Sequence, residues 1–499
     1  MRNNMSIFLM AVFLAVGLGF AAFLYRNAQA ADSGPVLVKD IYTAGDSNPA
    51  NLINVGGTLY FTAEDGANGV ELWKSDGTAS GTTLVKDIYS GANDSNPANL
   101  INMGGTLYFT AEDAANGVEL WKSDGTASGT TIVKDIYAGV NDSNPAYLTP
   151  IGSTLYFAAD DGTNGVELWK SNGTADGTIM VDNIYSGANS SNPAHLTNVN
   201  GVLYFAADDG VKGVELWKSS IASGTIRVSD INADANDGLP DKLINLNGVL
   251  FFSANDGTNG IELWKCEADV VSLVENINTG ANSSSPSGVT SLNSTLFFSA
   301  TNGGNGVELW GSDGTPSPSG TSMIQDICAG AGSSSPGGLT EVDDELVFYA
   351  NDGVLGQEFY RSNGTSSGTG LVKDIRSGAA GSSPSGFTTI NNKVYFSADD
   401  GTRGRELWKS NGAESGTVLV KDIRSGGNSS NPAGLVNVNG VLFFSANDGV
   451  NGNELWKYSP GTSSDADGGG CFIAGVSGSR SLPQFKFKRN NRFISWLSN

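Results

Sequence analysis

Val118-Glu119-Leu120-Trp121-Lys122-Ser123-Asp124-Gly125-Thr126 is the stretch on which the fold turns. Its first half is apolar, aromatic and β-branched, as suits a half-buried pleated surface, and its second half is turn chemistry. Alternation puts Glu119 and Trp121 on one face and Leu120 on the other, so both faces need covering. The same element returns along the chain, with Trp73, Trp121, Trp169, Trp217, Trp264, Trp310, Trp408 and Trp456 in register and Tyr360 in the seventh place. Spacings between successive members run 48, 48, 48, 47, 46, 50, 48 and 48 residues. These nine aromatic residues read as the structural anchors of nine tandem units over residues 36–459.

Working outward from Trp121, Leu100 to Met103 forms an apolar run, Gly104-Gly105 turns the chain, and Leu107-Tyr108-Phe109 begins a second run. Asp113 to Gly117 is a loop, Val118 to Lys122 a third strand, and Thr131 to Ile136 a fourth. No window carries a helical stripe. Asn200-Gly201, Asn247-Gly248 and Asn439-Gly440 share one repeat position and have the residues a two-residue hairpin needs for left-handed angles. Asn-Pro-Ala at Asn96, Asn144, Asn192 and Asn431 reads as a fixed bend into the first strand.

The fold class is therefore all-β, with four short antiparallel strands per unit, and small sheets needing cover on both faces suit propeller blades. The ends of the array fix its phase. Val36 to Ile41 matches the last strand of a unit, and Glu454 to Lys457 matches the third. Joined, they complete one blade and remove two exposed edges, which favours a closed nine-bladed β-propeller. A β-solenoid and two smaller propellers stay open as alternatives.

Beyond the array, Met5 to Leu24 is almost continuously apolar and Ala28-Gln29-Ala30 gives a small-x-small pattern, so residues 1–30 read as a signal peptide cleaved after Ala30. The uncleaved alternative is a membrane anchor. Either places the 31–460 repeat domain outside the cytoplasm, secreted or at the cell surface, and cleavage leaves no membrane-spanning segment. Residues 461–470 form a Gly/Ser/Asp linker and 471–499 a basic tail.

Fifty-one acidic against 28 basic residues, a net charge of −23, oppose binding to nucleic acid. Three cysteines, Cys266, Cys328 and Cys471, permit at most one bridge, with Cys266 and Cys328 in consecutive units. His195, the only histidine, falls in an Asn-Pro-Ala-His bend and reads as noncatalytic. No nucleophile elbow, Cys-His pair or phosphate loop stands out, so an enzyme is the less favoured class.

One polar pattern repeats. An Asp precedes the Glu of the third strand by six residues at Asp65/Glu71, Asp113/Glu119, Asp161/Glu167, Asp209/Glu215, Asp256/Glu262, Asp352/Glu358, Asp400/Glu406 and Asp448/Glu454, with Asn302 before Glu308 in the sixth unit. A turn of Asp, Asn and carbonyls followed by a carboxylate is the hard-oxygen set that calcium takes, so these pairs are the metal candidates. Against that stands a purely structural role, with Asp capping the turn and Glu bonding a neighbouring unit's backbone.

Glu-Leu-Trp-Lys-Ser-Asp-Gly-Thr, intact at Glu71 to Thr78 and Glu119 to Thr126, resembles the bacterial ELWxxDGT repeat family. The chain departs from that pattern at Ser220, Cys266-Glu267 and Phe359-Tyr360. Gly-Gly-Gly-Cys-Phe-Ile-Ala, ending at Ala474, resembles the start of a C-terminal element of exported bacterial proteins. The resemblance implies an exported repeat protein without a settled activity. The expectation is an extracellular or cell-surface scaffold, adhesive or ligand-binding, taking a glycan or a surface protein. The alternatives are a polysaccharide-acting enzyme with a carboxylate site in the central groove and a purely structural surface protein.

Overall fold

Each unit folds as the spacing of its turns dictates. In the first, strands Ala50–Val55, Thr58–Glu64, Val70–Ser75 and Thr83–Lys86 pair in order as one antiparallel sheet. In this computed structural model the described residues are 34–461 except 221, 234, 318 and 319, and they contain nine such four-stranded sheets. The signal peptide, most of the linker and the basic tail with Cys471 lie outside the described residues. Among the described residues no helix is long and apolar enough to cross a membrane.

Turn chemistry acts as the residue types require. Asn200 and Gly201 both take positive φ, 53° and 88°, in the hairpin between the first two strands of their unit. Asp124 Oδ1 accepts from Thr126 N at 2.8 Å and Thr126 Oγ1 at 2.7 Å. This fixes the turn after the third strand.

Nine blades close into a ring. The first strand of every unit touches the first strands of both neighbours, and the set returns on itself where Ala433–Val438 meets Ala50–Val55. These first strands are therefore innermost and line the axis. Blade 9 is built from both ends of the array: Ala433–Val438, Val441–Asn447 and Asn453–Tyr458 take Val36–Lys39 as their outer strand, with Leu37 opposite Trp456. The complementary phase read from the two ends is thus the closure itself, and the solenoid and two-ring alternatives fall.

Cores lie between blades. Tyr60, Leu72 and Val85 of blade 1 pack against Leu107, Phe109 and Trp121 of blade 2, and across the closure Val438, Phe443 and Leu455 pack against Leu59, Phe61 and Trp73. The repeat tryptophans thus cover the preceding blade, and burying one stabilises the seam by roughly 3 kcal/mol. Lys86 of the outer strand reaches across, its Nζ 5.3 Å from the Trp121 ring centroid and 2.9 Å from Thr130 O. Lys39 repeats this at the closure, 2.8 Å from Thr82 O. Cys266 and Cys328 are free thiols, so the one bridge considered does not form.

Candidate functional site at the mouth of the axial channel

Asp and Glu of each repeated pair enter different hydrogen-bond systems. Asp65 Oδ1 accepts from Ala67 N at 2.9 Å and Asn68 N at 2.8 Å, and Asn68 Nδ2 donates to Oδ2 at 2.7 Å. Burial pushes the Asp65 carboxyl up, but these donors outweigh it and hold it below the usual carboxylate range. The same cap recurs at Asp113, Asp161, Asp256 and Asp448. Asp209 adds an ion pair to Arg227 at 2.6 Å, Asp352 accepts from Leu355 N at 2.7 Å, and Asp400 pairs with Arg403 at 2.6 Å.

The glutamates are fully buried. Glu71 Oε2 accepts from Ser95 Oγ at 2.6 Å and Ile88 N at 3.1 Å, and Oε1 accepts from Tyr89 N at 3.1 Å. Each such carboxylate seats the connection from the outer strand of its own blade to the inner strand of the next. Glu454 does this across the closure, accepting from Ile41 N, Ser47 N and Ser47 Oγ at 2.9, 3.0 and 2.6 Å. Glu167, Glu262, Glu358 and Glu406 hold the equivalent serines, 191, 284, 382 and 430. Burial raises these carboxyls against the pull of their donors, and it pushes Glu119 and Glu215 up to about 7. Blade 4 lacks the serine: Gly238 stands there, and an added Cβ would lie 2.6 Å from Glu215 Oε2. Among the described residues no three His, Cys, Asp or Glu side chains gather as a metal-binding group. The structure therefore places the sixteen candidate residues in repeated turn-capping and loop-seating roles and does not bring a pair onto one shared centre.

The nine-fold pattern breaks at the axis. A register shift at the start of every inner strand forces its second residue into the left-handed region. In ring order this position holds Asn51, Asn99, Tyr147, His195, Lys242, Gly288, Gly338, Gly386 and Gly434, with φ between 54° and 67°. Asn and Gly suit that backbone. Asn51 and Asn99 also use it, their Nδ2 donating to the next blade at Pro97 O and Pro145 O, 3.2 and 3.4 Å away. Tyr and Lys do not suit it, at a cost of about 1–2 kcal/mol each, and His, which enters this region more readily than most side chains, still suits it less well than Gly. The three exceptions sit on consecutive blades.

Together with Asn99 they line a cavity of about 620 Å³ bounded by the inner strands of blades 2 to 5, a size common for small-ligand sites. His195 Nε2 lies 3.2 Å from Asp241 Oδ1, and Lys242 Nζ 2.9 Å from Asp241 Oδ2. The Tyr147 and His195 ring centroids are 5.8 Å apart with planes at 56°. Burial pushes the Asp241 carboxyl up, but Lys242 and His195 outweigh it, so it stays a carboxylate at neutral pH. Asp241 itself replaces the Ala or small residue found at this first position elsewhere in the ring. His195 is thus in a cavity where the repeat is abandoned on three consecutive blades, and no six-residue spacing singles out Tyr147, Asp241 or Lys242.

No family model matches the chain, and no curated protein matches it. Among solved structures, it is similar to puromycin hydrolase at 12% identity, covering 74% of this chain and 60% of that one, with a TM-score of 0.36. A prolyl endopeptidase structure gives 12% identity, 70% and 54% coverage and a TM-score of 0.40. The β-propeller domain of the Trilobed protease from Pyrococcus furiosus gives 12%, 65% and 97%, and 0.33. This chain spans about 60% of the length of puromycin hydrolase.

Proposed function

We propose that the chain is an exported ELWxxDGT-type repeat protein, secreted or held at the cell surface, whose ring is a rigid scaffold for one ligand site at the channel mouth on blades 3 to 5. One observation carries the reading. Tyr147, His195 and Lys242 occupy the left-handed position that the other six blades give to Asn or Gly, and all three line the same cavity. Leu239, Ser285, Ser335 and Ser383 show that left-handed side chains also occur at the neighbouring bend of other blades, so it is the convergence of Tyr147, His195 and Lys242 on one cavity that marks a site. The regular parts of the ring, its capped aspartates and seated glutamates, hold the inner strands in place beneath it.

A second reading has its own observation. The His195–Asp241 contact of 3.2 Å at the edge of the cavity has the geometry of an acid–base pair, with the carboxylate orienting the imidazole. It supports the polysaccharide-acting alternative. The test is to incubate the protein with polysaccharide and peptide panels, following both capture and product release. Capture without product, lost in His195→Gly, fits the scaffold. Turnover lost in His195→Gln and in Asp241→Asn, with capture kept, fits the enzyme. Capture and turnover indifferent to both positions would remove the channel mouth from consideration.

A further inference from the structure

Resting on the reading of the channel mouth as the ligand site, we infer that its ligand is a neutral glycan, bound with a sugar ring against Tyr147 and His195 and adjacent hydroxyls on Asp241 and Lys242. Four features of the cluster point to that class. First, Tyr147 and His195 are two tilted ring faces, 5.8 Å apart between centroids, on neighbouring strands. Such walls accept the apolar C–H face of a pyranose while their polar ends stay available at its edge.

Second, Asp241 and Lys242 set an acceptor beside a donor, 2.9 Å apart and both partly exposed. Neighbouring sugar hydroxyls each donate and accept, so a carboxylate taking one proton and an ammonium donating to the next oxygen engage two of them together. A hydroxyl pair also leaves the Asp241–Lys242 contact intact, whereas a carboxylate or sulfate on the ligand would compete with Asp241 for the ammonium.

Third, charge selects against acidic ligands. Lys242 and Asp241 offset each other at 2.9 Å, and the chain as a whole carries −23. An anionic polymer therefore meets repulsion that a neutral one does not.

Fourth, four consecutive blades carry no side chain at the left-handed position. Gly288, Gly338, Gly386 and Gly434 present no side chain where blades 3 to 5 present Tyr, His and Lys. At this position the charged and aromatic groups are thus gathered on blades 3 to 5.

The experiment exposes the full chain to an array of neutral, amino-sugar, uronic and sulfated glycans together with a peptide library, then titrates the strongest neutral glycan by calorimetry. Tyr147→Gly and His195→Gly are the informative variants, because glycine relaxes the left-handed backbone and the ring stays folded. Expected are selective binding of neutral glycans and a loss of affinity of about tenfold or more in each variant, or 1.4 kcal/mol per tenfold, with no fall in melting temperature. Asp241→Asn is expected to weaken neutral-glycan binding and, by freeing the Lys242 ammonium, to raise binding of sulfated glycans. Preference for acidic glycans, or peptide binding lost in the glycine variants, overturns the ligand class while keeping the site. Glycan binding unchanged in both variants overturns the site as well.

Discussion

Replacing Tyr147, His195 and Lys242 together by glycine should give a more stable protein than replacing all three by alanine, although alanine is ordinarily the better residue in a strand. Both triple variants lose the same side-chain contacts, including the Tyr147–His195 ring contact and the Asp241 ion pairs. What separates them is a Cβ at φ of 57°, 56° and 55°. Holding an L-residue there costs about 1–2 kcal/mol, and glycine returns roughly 0.4–1 kcal/mol of that through the freedom of its unfolded chain. The net is about 0–1.6 kcal/mol per site with a centre of about 0.8 kcal/mol, and roughly 2.4 kcal/mol at the centre for three, if coupling between neighbours is small. Urea unfolding followed by tryptophan fluorescence reads the difference as a higher midpoint at unchanged slope for the glycine protein. An alanine protein as stable as the glycine one, or more so, would refute the claim that three blades carry strain at the channel mouth.

Further expectations follow from the seated carboxylates and the closure. Glu119 and Glu215 titrate near 7 when folded, above the usual glutamate range. Their contribution to stability is therefore full below about pH 4.3 and is lost as pH rises through 7. The urea midpoint should fall between pH 5 and pH 8, less steeply in Glu215→Gln, and a flat or rising profile would contradict the assignment. Glu454→Ala leaves the amides of Ile41 and Ser47 without their acceptor at the closure, which should cost about 1–3 kcal/mol. Hydrogen exchange should then rise first in Val36–Lys39, and uniform protection across the ring would count against a closure latch. Millimolar calcium should leave the melting temperature unchanged, because Glu71 and its equivalents spend their oxygens on loop amides and serines. A rise reversed by chelator would restore the paired carboxylates as metal ligands.

The ring was legible because its determinants are local. Trp at near-constant spacing, Asn-Gly hairpins and Asp-Gly-Thr turns each act within a few residues of themselves, and the mismatched ends at Val36 and Glu454 state the closure. The metal candidates illustrate the limit of spacing. Asp65 and Glu71 are six residues apart, but one caps a loop and the other turns between sheets toward Ser95, a residue 24 positions on. The channel mouth was hidden for a different reason. Its residues come from three inner strands about 48 positions apart, and the register shift that makes their position left-handed leaves no mark in a single unit. Only the column Asn, Asn, Tyr, His, Lys, Gly, Gly, Gly, Gly, read across all nine units, carries the signal. Within one unit, His195 after Asn-Pro-Ala is indistinguishable from part of a bend.

The most direct test of a site made by three exceptional blades is a crystal structure of the protein soaked with the neutral glycan it binds best. A sugar ring in density against Tyr147 and His195, with hydroxyls on Asp241 and Lys242, is the predicted result. Sugar density seated between outer strands, or on the glycine arc with the cluster empty, would contradict it.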